Sequence, residues 1–341
     1  MSGKRIYRSS NTSILSVEAV DAPRIVTSEE FDVELSATYE RVGLRPGMLE
    51  SLVGIRERRW WADEVTFADG AAMAGAKAIA ESGVDAAQIG LLVNTSVSRA
   101  HLEPSTAVAV HNALGLPDTC QNFDVANACL GFVNGMQIAA AMIECGQIDY
   151  ALIVNGEDAR AVQEHTLKRL TGPDVTANQV MDEFATLTLG SGAAAMVLGR
   201  ADLHPEGHRI IGGATRASSS HHELCVGDIE HMRTNARGLL EAGLELTAKL
   251  WADAAGEFTW AEGMDRYVIH QVSQVHTSGM TTALGIDESR VPLTFPMYGN
   301  IGPASVPYTL AKEAQDLEPG DRVLLMGIGS GLNASFTELC W

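Results

Sequence analysis

The chain has 341 residues, 43 of them acidic against 24 basic, for a formal net charge of −19. That balance excludes a nucleic-acid partner held on a basic surface. Five cysteines, an odd number without framework spacing, exclude a disulfide-built scaffold and fit a reducing cytoplasm.

A hydrophobic content of 46% suits a large core of one large or two medium domains. No stretch has the apolar length of a transmembrane span, and the polar segment 1–11 lacks the core of a signal peptide. Metal spacing is absent among the ten histidines.

In chain order, Thr27-Ser28-Glu29-Glu30 reads as a capping box that opens a helix to about residue 42. Gly54-Ile55-Arg56-Glu57-Arg58-Arg59-Trp60-Trp61 is the densest basic and aromatic cluster of an otherwise acidic chain. The alanine-rich segment 67–82 is predicted to be a helix. Ile89-Gly90-Leu91-Leu92-Val93-Asn94 is a short apolar strand that runs into Thr95-Ser96-Val97-Ser98. Glu103 then precedes Pro104, where a negative charge favours a helix start and proline suits the first helical position.

Phe123-Asp124-Val125-Ala126-Asn127-Ala128-Cys129 reads as a buried strand that delivers a cysteine to the start of a helix, about 133–145. The free N–H groups and positive end of that helix are expected to lower the thiol pKa and favour the nucleophilic thiolate. The segment 159–187 is mixed helical and too long for a simple connector, so it is expected to line a channel or a dimer surface. Gly190-Ser191-Gly192 precedes a strand and carries no phosphate-loop pattern.

The second half repeats the first. Tyr267-Val268-Ile269-His270-Gln271-Val272-Ser273 matches the strand at 89–98, and Ala283-Leu284-Gly285-Ile286 matches Ala113-Leu114-Gly115-Leu116. A strand-like segment around Phe295 matches the one around Phe123, Tyr298-Gly299-Asn300 stands where Asn127-Ala128-Cys129 stood, and the strand at 321–326 matches that at 149–154. Such a repeat predicts an α/β fold of two βαβ-rich halves, residues 1–200 and 201–341, about a pseudo-twofold axis, with mostly parallel sheets. Function then gathers beyond the carboxyl ends of the strands. Cys129, His270 and Asn300 each sit at such an end and should converge. His276, at the start of the next helix, is expected to cap or pack.

These residues, with Gly299-Asn300-Ile301-Gly302-Pro303 and Gly327-Ile328-Gly329-Ser330-Gly331-Leu332-Asn333, resemble the thiolase superfamily, and within it the ketoacyl synthase III-like condensing enzymes. The text around 94–107 is most similar to the OleA group, which joins two fatty acyl-CoA molecules at the start of bacterial long-chain olefin synthesis. The resemblance implies a five-layered αβαβα sandwich, a homodimer, coenzyme A thioesters as substrates and no separate cofactor. It implies further enzymes downstream in the pathway.

The resemblance makes Cys129 the acyl acceptor, with its N–H and the turn at Ser330 as the oxyanion hole. His270 and Asn300 become donors to an enolate. Glu103 becomes the base that deprotonates the second acyl chain, reaching the site from the partner subunit. Arg56, Arg58, Arg59 and Trp60 become the coenzyme A entrance, against the alternative of a solvated basic turn or tryptophans capping a core edge. Two rivals stand beside this reading. One is a decarboxylating synthase III fed by a malonyl carrier, and the other a non-catalytic partner of a condensing subunit.

Overall fold

A computed structural model describes residues 6–228 and 230–341, so residues 1–5 of the polar N-terminal segment lie outside the described residues. The first half opens with strands β1 (Ile6–Arg8), β2 (Thr12–Asp21) and β3 (Arg24–Thr27). Helices α1 (Ser28–Glu34) and α2 (Ser36–Val42) follow. The capping box at Thr27 and Glu30 is present, but the predicted single helix breaks at Leu35, where the Ser36 hydroxyl turns back to the Val33 carbonyl. Strand β4 (Glu57–Trp60) pairs with β3, and α3 (Phe67–Ser82) has the predicted bounds.

Then come β5 (Ile89–Asn94), α4 (Thr106–Leu114), β6 (Gln121–Asp124), α5 (Gly131–Glu144) and β7 (Tyr150–Glu157). The excursion α6 (Arg160–Leu170) and α7 (Ala177–Glu183) leads to β8 (Gly192–Arg200). Its buried face, with Leu167, Leu170 and Val180, packs on Phe31 of α1, Tyr39 of α2 and Leu35 between them.

The second half holds β9 (His208–Ala217), the hairpin β10 (Cys225–Gly227) and β11 (Met232–Thr234), and α8 (Ala236–Ala254). It continues with β12 (Arg266–Ile269), α9 (Gln274–Leu284), α10 (Phe295–Tyr298), α11 (Ser305–Glu313), β13 (Arg322–Gly329) and β14 (Asn333–Cys340). Strands run in the order β12-β13-β14-β9-β2-β8-β7-β5-β6, with β1 on β9. The halves meet where Ser13 and Ile14 of β2 pair with Arg209 and His208 of β9. Each half is mixed rather than mostly parallel. Among the described strands, β5–β6, β5–β7 and β12–β13 pair parallel, while β8 and β14 each return antiparallel beside the strand before them.

Alternation along the strands shows the layers. Leu91, Val93, Ala151, Ile153, Val268, Val323 and Leu325 share one core with Phe132, Val133 and Met136 of α5 and Val306 and Leu310 of α11. Their neighbours Leu92, Leu152 and Val154 face α3 and α4, while Ile269, Leu324 and Met326 face α8 and α9. Side chains of period two on strands covered on both faces therefore build helix, sheet, helix, sheet, helix. The chain is thiolase-like, with five layers. Among the described residues no helix is long and apolar enough to cross a membrane.

One predicted strand is absent. The Phe295 segment forms a helical turn, with Pro296 in its first turn. Gln271 takes the place of the missing pairing: its amide donates to Ile269 O (2.9 Å) and Pro292 O (3.2 Å) and accepts from Thr294 N (2.8 Å).

Glu144 at the end of α5 ties down the start of β2. It accepts hydrogen bonds from Ser9 Oγ, Ser10 N and Oγ, Asn11 N and Thr12 Oγ1, at 2.6–3.0 Å. Burial favours its neutral form, but the donors outweigh burial and hold the carboxyl at about 2. A depressed folded pKa contributes stability that is complete above the unfolded pKa and lost as pH falls towards about 2. Glu144→Gln should therefore cost on the order of 1 kcal/mol at pH 7, the side chain being partly solvated. It should also flatten the fall in stability between about pH 5 and pH 2, read from urea midpoints across pH. Parallel pH profiles for the two proteins would refute this account.

Candidate active site

The nucleophile stands on a tight elbow. Strand β6 is an edge strand, only partly buried, rather than the buried strand expected. After Asp124 the chain turns through Ala128, whose φ of +45° makes it the one non-glycine residue in the left-handed region among the described residues. Such strain persists only where the surroundings hold it. Here Leu130 N bonds to Asn127 O (3.0 Å) and Gly131 N to Ala128 O (3.1 Å). Gly131 must be glycine, since a Cβ there would lie 2.9 Å from Thr95 O.

The thiol is not the thiolate expected. Burial, then the neighbouring Cys225 and Glu157, push the Cys129 thiol up to about 12, outweighing its own N–H. Taking the sulfur out of water disfavours its anion more than the helix start favours it.

His270 follows β12, and its N–H continues the ladder to Met326 O (3.0 Å). It is buried, and burial, with His276 beside it, lowers its pKa to about 3. The ring is neutral at pH 7, and its Nδ1 has no protein partner among the described residues. His276 is buried in the first turn of α9, where it packs as expected and receives the Ser273 cap through its backbone N–H (3.1 Å).

Asn300 is fixed by both its backbone and its side chain. Its N–H donates to Thr188 O and its carbonyl accepts from Gly190 N, each at 2.9 Å. Its Oδ1 accepts from Gly302 N (3.0 Å). With Oδ1 engaged, the amide NH2 is the group left to donate to a ligand.

The end of β13 covers the elbow. A Cβ at Gly329 would meet Asn127 O at 2.9 Å and Leu130 N at 3.0 Å, and a Cβ at Gly327 would meet Leu130 Cδ1 at 2.6 Å. Asn333 Nδ2, just past the turn that contains Ser330, donates to Asn127 Oδ1 (3.2 Å). His270 is thus one strand away from the glycines that press on the Cys129 elbow. From the other side, a Cβ at Gly302 would stand 3.6 Å from Glu157 Cδ, the carboxyl whose charge is felt at Cys129. The elbow thus packs against β13, the strand beside the one that His270 follows, and Glu157 lies between the elbow and the Asn300 loop. A cavity of about 400 Å³ opens beside the elbow, with Asn127, Leu130 and Asn333 in its wall but not Cys129, His270 or Asn300.

Glu103 makes no hydrogen bond or ion pair to these residues among the described residues. It is exposed at the tip of the loop between β5 and α4, next to Leu102, which is fully exposed (101%).

The coenzyme A entrance needs correction. Strand β4 alternates, so Arg58 and Trp60 point inward. Arg58 is 0% exposed, lies over the Phe31 ring and donates to Ser28 Oγ (3.1 Å) and Leu187 O (3.0 Å). Burial lowers its pKa to about 10. Trp60 donates to Gln163 Oε1 (2.6 Å). Neither can meet a ligand phosphate or adenine from solvent. Arg59 is partly buried and pairs with Glu57 (2.8 Å), which leaves Arg56 as the exposed one of the three arginines. The period of two in Glu-Arg-Arg-Trp was the signal that could have separated them.

Two residues escaped the sequence reading, Glu157 and Asp124. Glu157 ends the apolar strand β7 as His270 follows β12, so the criterion that found the histidine applied to it as well.

A neutral thiol that can carry an acyl group, beside donors that can hold an enolate oxygen, sits here on a doubled α/β scaffold. Together these define a condensing enzyme of the thiolase type. Residues 123–219 match the 3-oxoacyl-[acyl-carrier-protein] synthase III family, and residues 259–339 its C-terminal family. The acyl-CoA:acyl-CoA alkyltransferase of Xanthomonas campestris is 48% identical over 97% of this chain and 99% of its own length. That of Shewanella oneidensis is 36% identical over 94% and 96%. The crystal structure of a cysteine-to-serine variant of Xanthomonas campestris OleA with bound lauric acid and lauroyl-CoA superposes with a TM-score of 0.95. It is 47% identical, and the match covers 97% of this chain and 99% of that one. The chain belongs to the synthase III-like condensing enzymes of the thiolase superfamily, among the acyl-CoA:acyl-CoA alkyltransferases, and is an acyltransferase.

Proposed function

We propose that the protein joins two long-chain fatty acyl-CoA molecules head to head without decarboxylation. Cys129 Sγ attacks the first thioester and coenzyme A leaves as the thiol, carrying the proton that the sulfur loses. The Cys129 N–H and the turn at Ser330 donate to the oxyanion of that step. Glu103 of the partner subunit removes an α-proton from the second acyl-CoA, whose enolate oxygen is held by His270 and the Asn300 amide. The carbanion attacks the acyl-Cys129 carbonyl and expels the sulfur. The 2-alkyl-3-ketoacyl-CoA that results loses coenzyme A to water and becomes a β-keto acid.

The observation that carries this reading is the carboxylate exposed at the tip of the Glu103 loop. A decarboxylating synthase has no use for such a base, whereas a twofold dimer could place it in a neighbouring site. Coenzyme A serves as substrate carrier, and no separate cofactor enters the scheme. Arg56 is the remaining candidate at the entrance. The reaction would open cytoplasmic long-chain olefin synthesis, with reduction of the β-keto acid to follow.

The test is mass spectrometry of products formed from a single saturated acyl-CoA without a malonyl donor. The expected product is a β-keto acid, or the ketone from its decarboxylation, containing two chains. Free fatty acid alone, or turnover only with a malonyl carrier, would overturn the proposal.

A further inference from the structure

We propose that Glu157 is a positioning residue that sets Glu103 for catalysis in the neighbouring protomer, an inference that rests on the reading above that Glu103 acts across a dimer. Glu157 is 7% exposed, and no ion pair to it is found among the described residues. Burial raises its pKa above the usual carboxylate range against the pull of its donors, and in either protonation state a buried carboxyl needs its oxygens hydrogen-bonded. Its donors include three from one turn: Val97 N (2.7 Å), Ser98 N (3.0 Å) and Ser98 Oγ (2.7 Å). Ser98 Oγ in turn accepts from Asp158 N (3.0 Å), which locks the turn to the end of β7.

The far end of the same loop is built alike. Asp124 accepts from Thr106 N (3.0 Å) and Ala107 N (2.9 Å) at the start of α4, and Arg99 reaches towards it (3.6 Å) while donating to Ser98 O (3.1 Å). The segment 97–105 therefore stands on two carboxylates, with His101, Leu102, Glu103 and Pro104 exposed at its tip. A loop ordered at its base and bare at its tip suits a side chain that must act at a fixed place outside its own subunit. Reacting groups held in place react far faster than groups that must be found. Glu157 also lies against Gly302, so its rival role is to hold the Asn300 loop of its own site.

Tagged heterodimers separate the two roles. Glu157→Gln keeps the shape but sets an NH2 group against the N–H donors of the turn. As a homodimer it should still load Cys129, whose thiol is eased by loss of the Glu157 charge, and condense about 100-fold more slowly, the penalty of a base displaced by about 1 Å. Paired with Cys129→Ala it should recover up to half of parent activity, because its intact Cys129 is served by a well-placed Glu103. Paired with Glu103→Ala it should stay inactive. The opposite pattern, or full condensation by the homodimer, would overturn the proposal.

The Cys129→Ala/Glu103→Ala pair is the control. If it recovers nothing, the crossing of Glu103 fails and this inference falls with it. Ser98→Ala, which removes one donor, should show the same partition with a loss of about tenfold and serves if Glu157→Gln does not fold.

Discussion

Cys129→Ala leaves a folded protein that no longer takes an acyl group. Intact-protein mass spectrometry after exposure to acyl-CoA should show the unmodified mass, where the parent gains one acyl chain. Condensation should fall by about 10⁴-fold or more, as when other covalent nucleophiles are removed. Stability should barely change, because the substitution deletes one sulfur beside an already strained turn. The parent should also show a particular pH dependence. With the thiol at about 12 and His270 at about 3, the resting pair is neutral thiol and neutral imidazole at pH 7. Alkylation of Cys129 by iodoacetamide should then rise about tenfold per pH unit from pH 6 to pH 9, without a plateau, because the thiolate fraction grows at that rate below the pKa. A low-pH plateau would reveal a thiolate–imidazolium pair, and an acyl adduct on Cys129→Ala would remove the residue from its role.

Glu103→Ala should separate the two half-reactions. Acyl loading needs the elbow and the oxyanion donors but no base at the loop tip, so it should proceed at near the parent rate. Condensation needs the α-proton removed, and loss of a general base costs about 10²–10⁴-fold. Acyl-enzyme should therefore accumulate on the variant when acyl-CoA is supplied. Undiminished condensation would leave Glu103 as a charge at a helix start and return the decarboxylating mechanism to first place. The variant should unfold at the same urea concentration as the parent, because the exposed carboxylate makes no hydrogen bond or ion pair found among the described residues.

The repeat was legible because it is written in short-range patterns. Leu91-Leu92-Val93 and Val323-Leu324-Leu325-Met326 are apolar on both faces, as strands covered by helices on both sides must be. The Ala-Leu-Gly motifs end α4 and α9 at Gly115 and Gly285 with φ of +61° and +67°, which glycine adopts without cost. The order of Cys129, His270 and Asn300 along the chain was equally open to a linear reading, although Asn300 follows a helical turn and not a strand. The Phe295 segment was not. Its prolines disfavoured a strand, but that a distant glutamine would take over its pairing could not be read from neighbouring residues.

By itself, then, the sequence determined the doubled α/β architecture and singled out Cys129, His270 and Asn300 as the candidates for the chemistry, since periodicity and short motifs are local properties. Only the tertiary structure decided their electrostatics and their surroundings. Whether Cys129 rests as thiol or thiolate depends on how completely the folded core removes water from sulfur. Whether an arginine faces solvent or the core depends on what covers its strand, and so Arg58 and Arg56 part company two residues apart. Glu157 gathers its donors from a turn about 60 residues earlier in the chain, and burial and contacts of that kind exist only once the chain has folded.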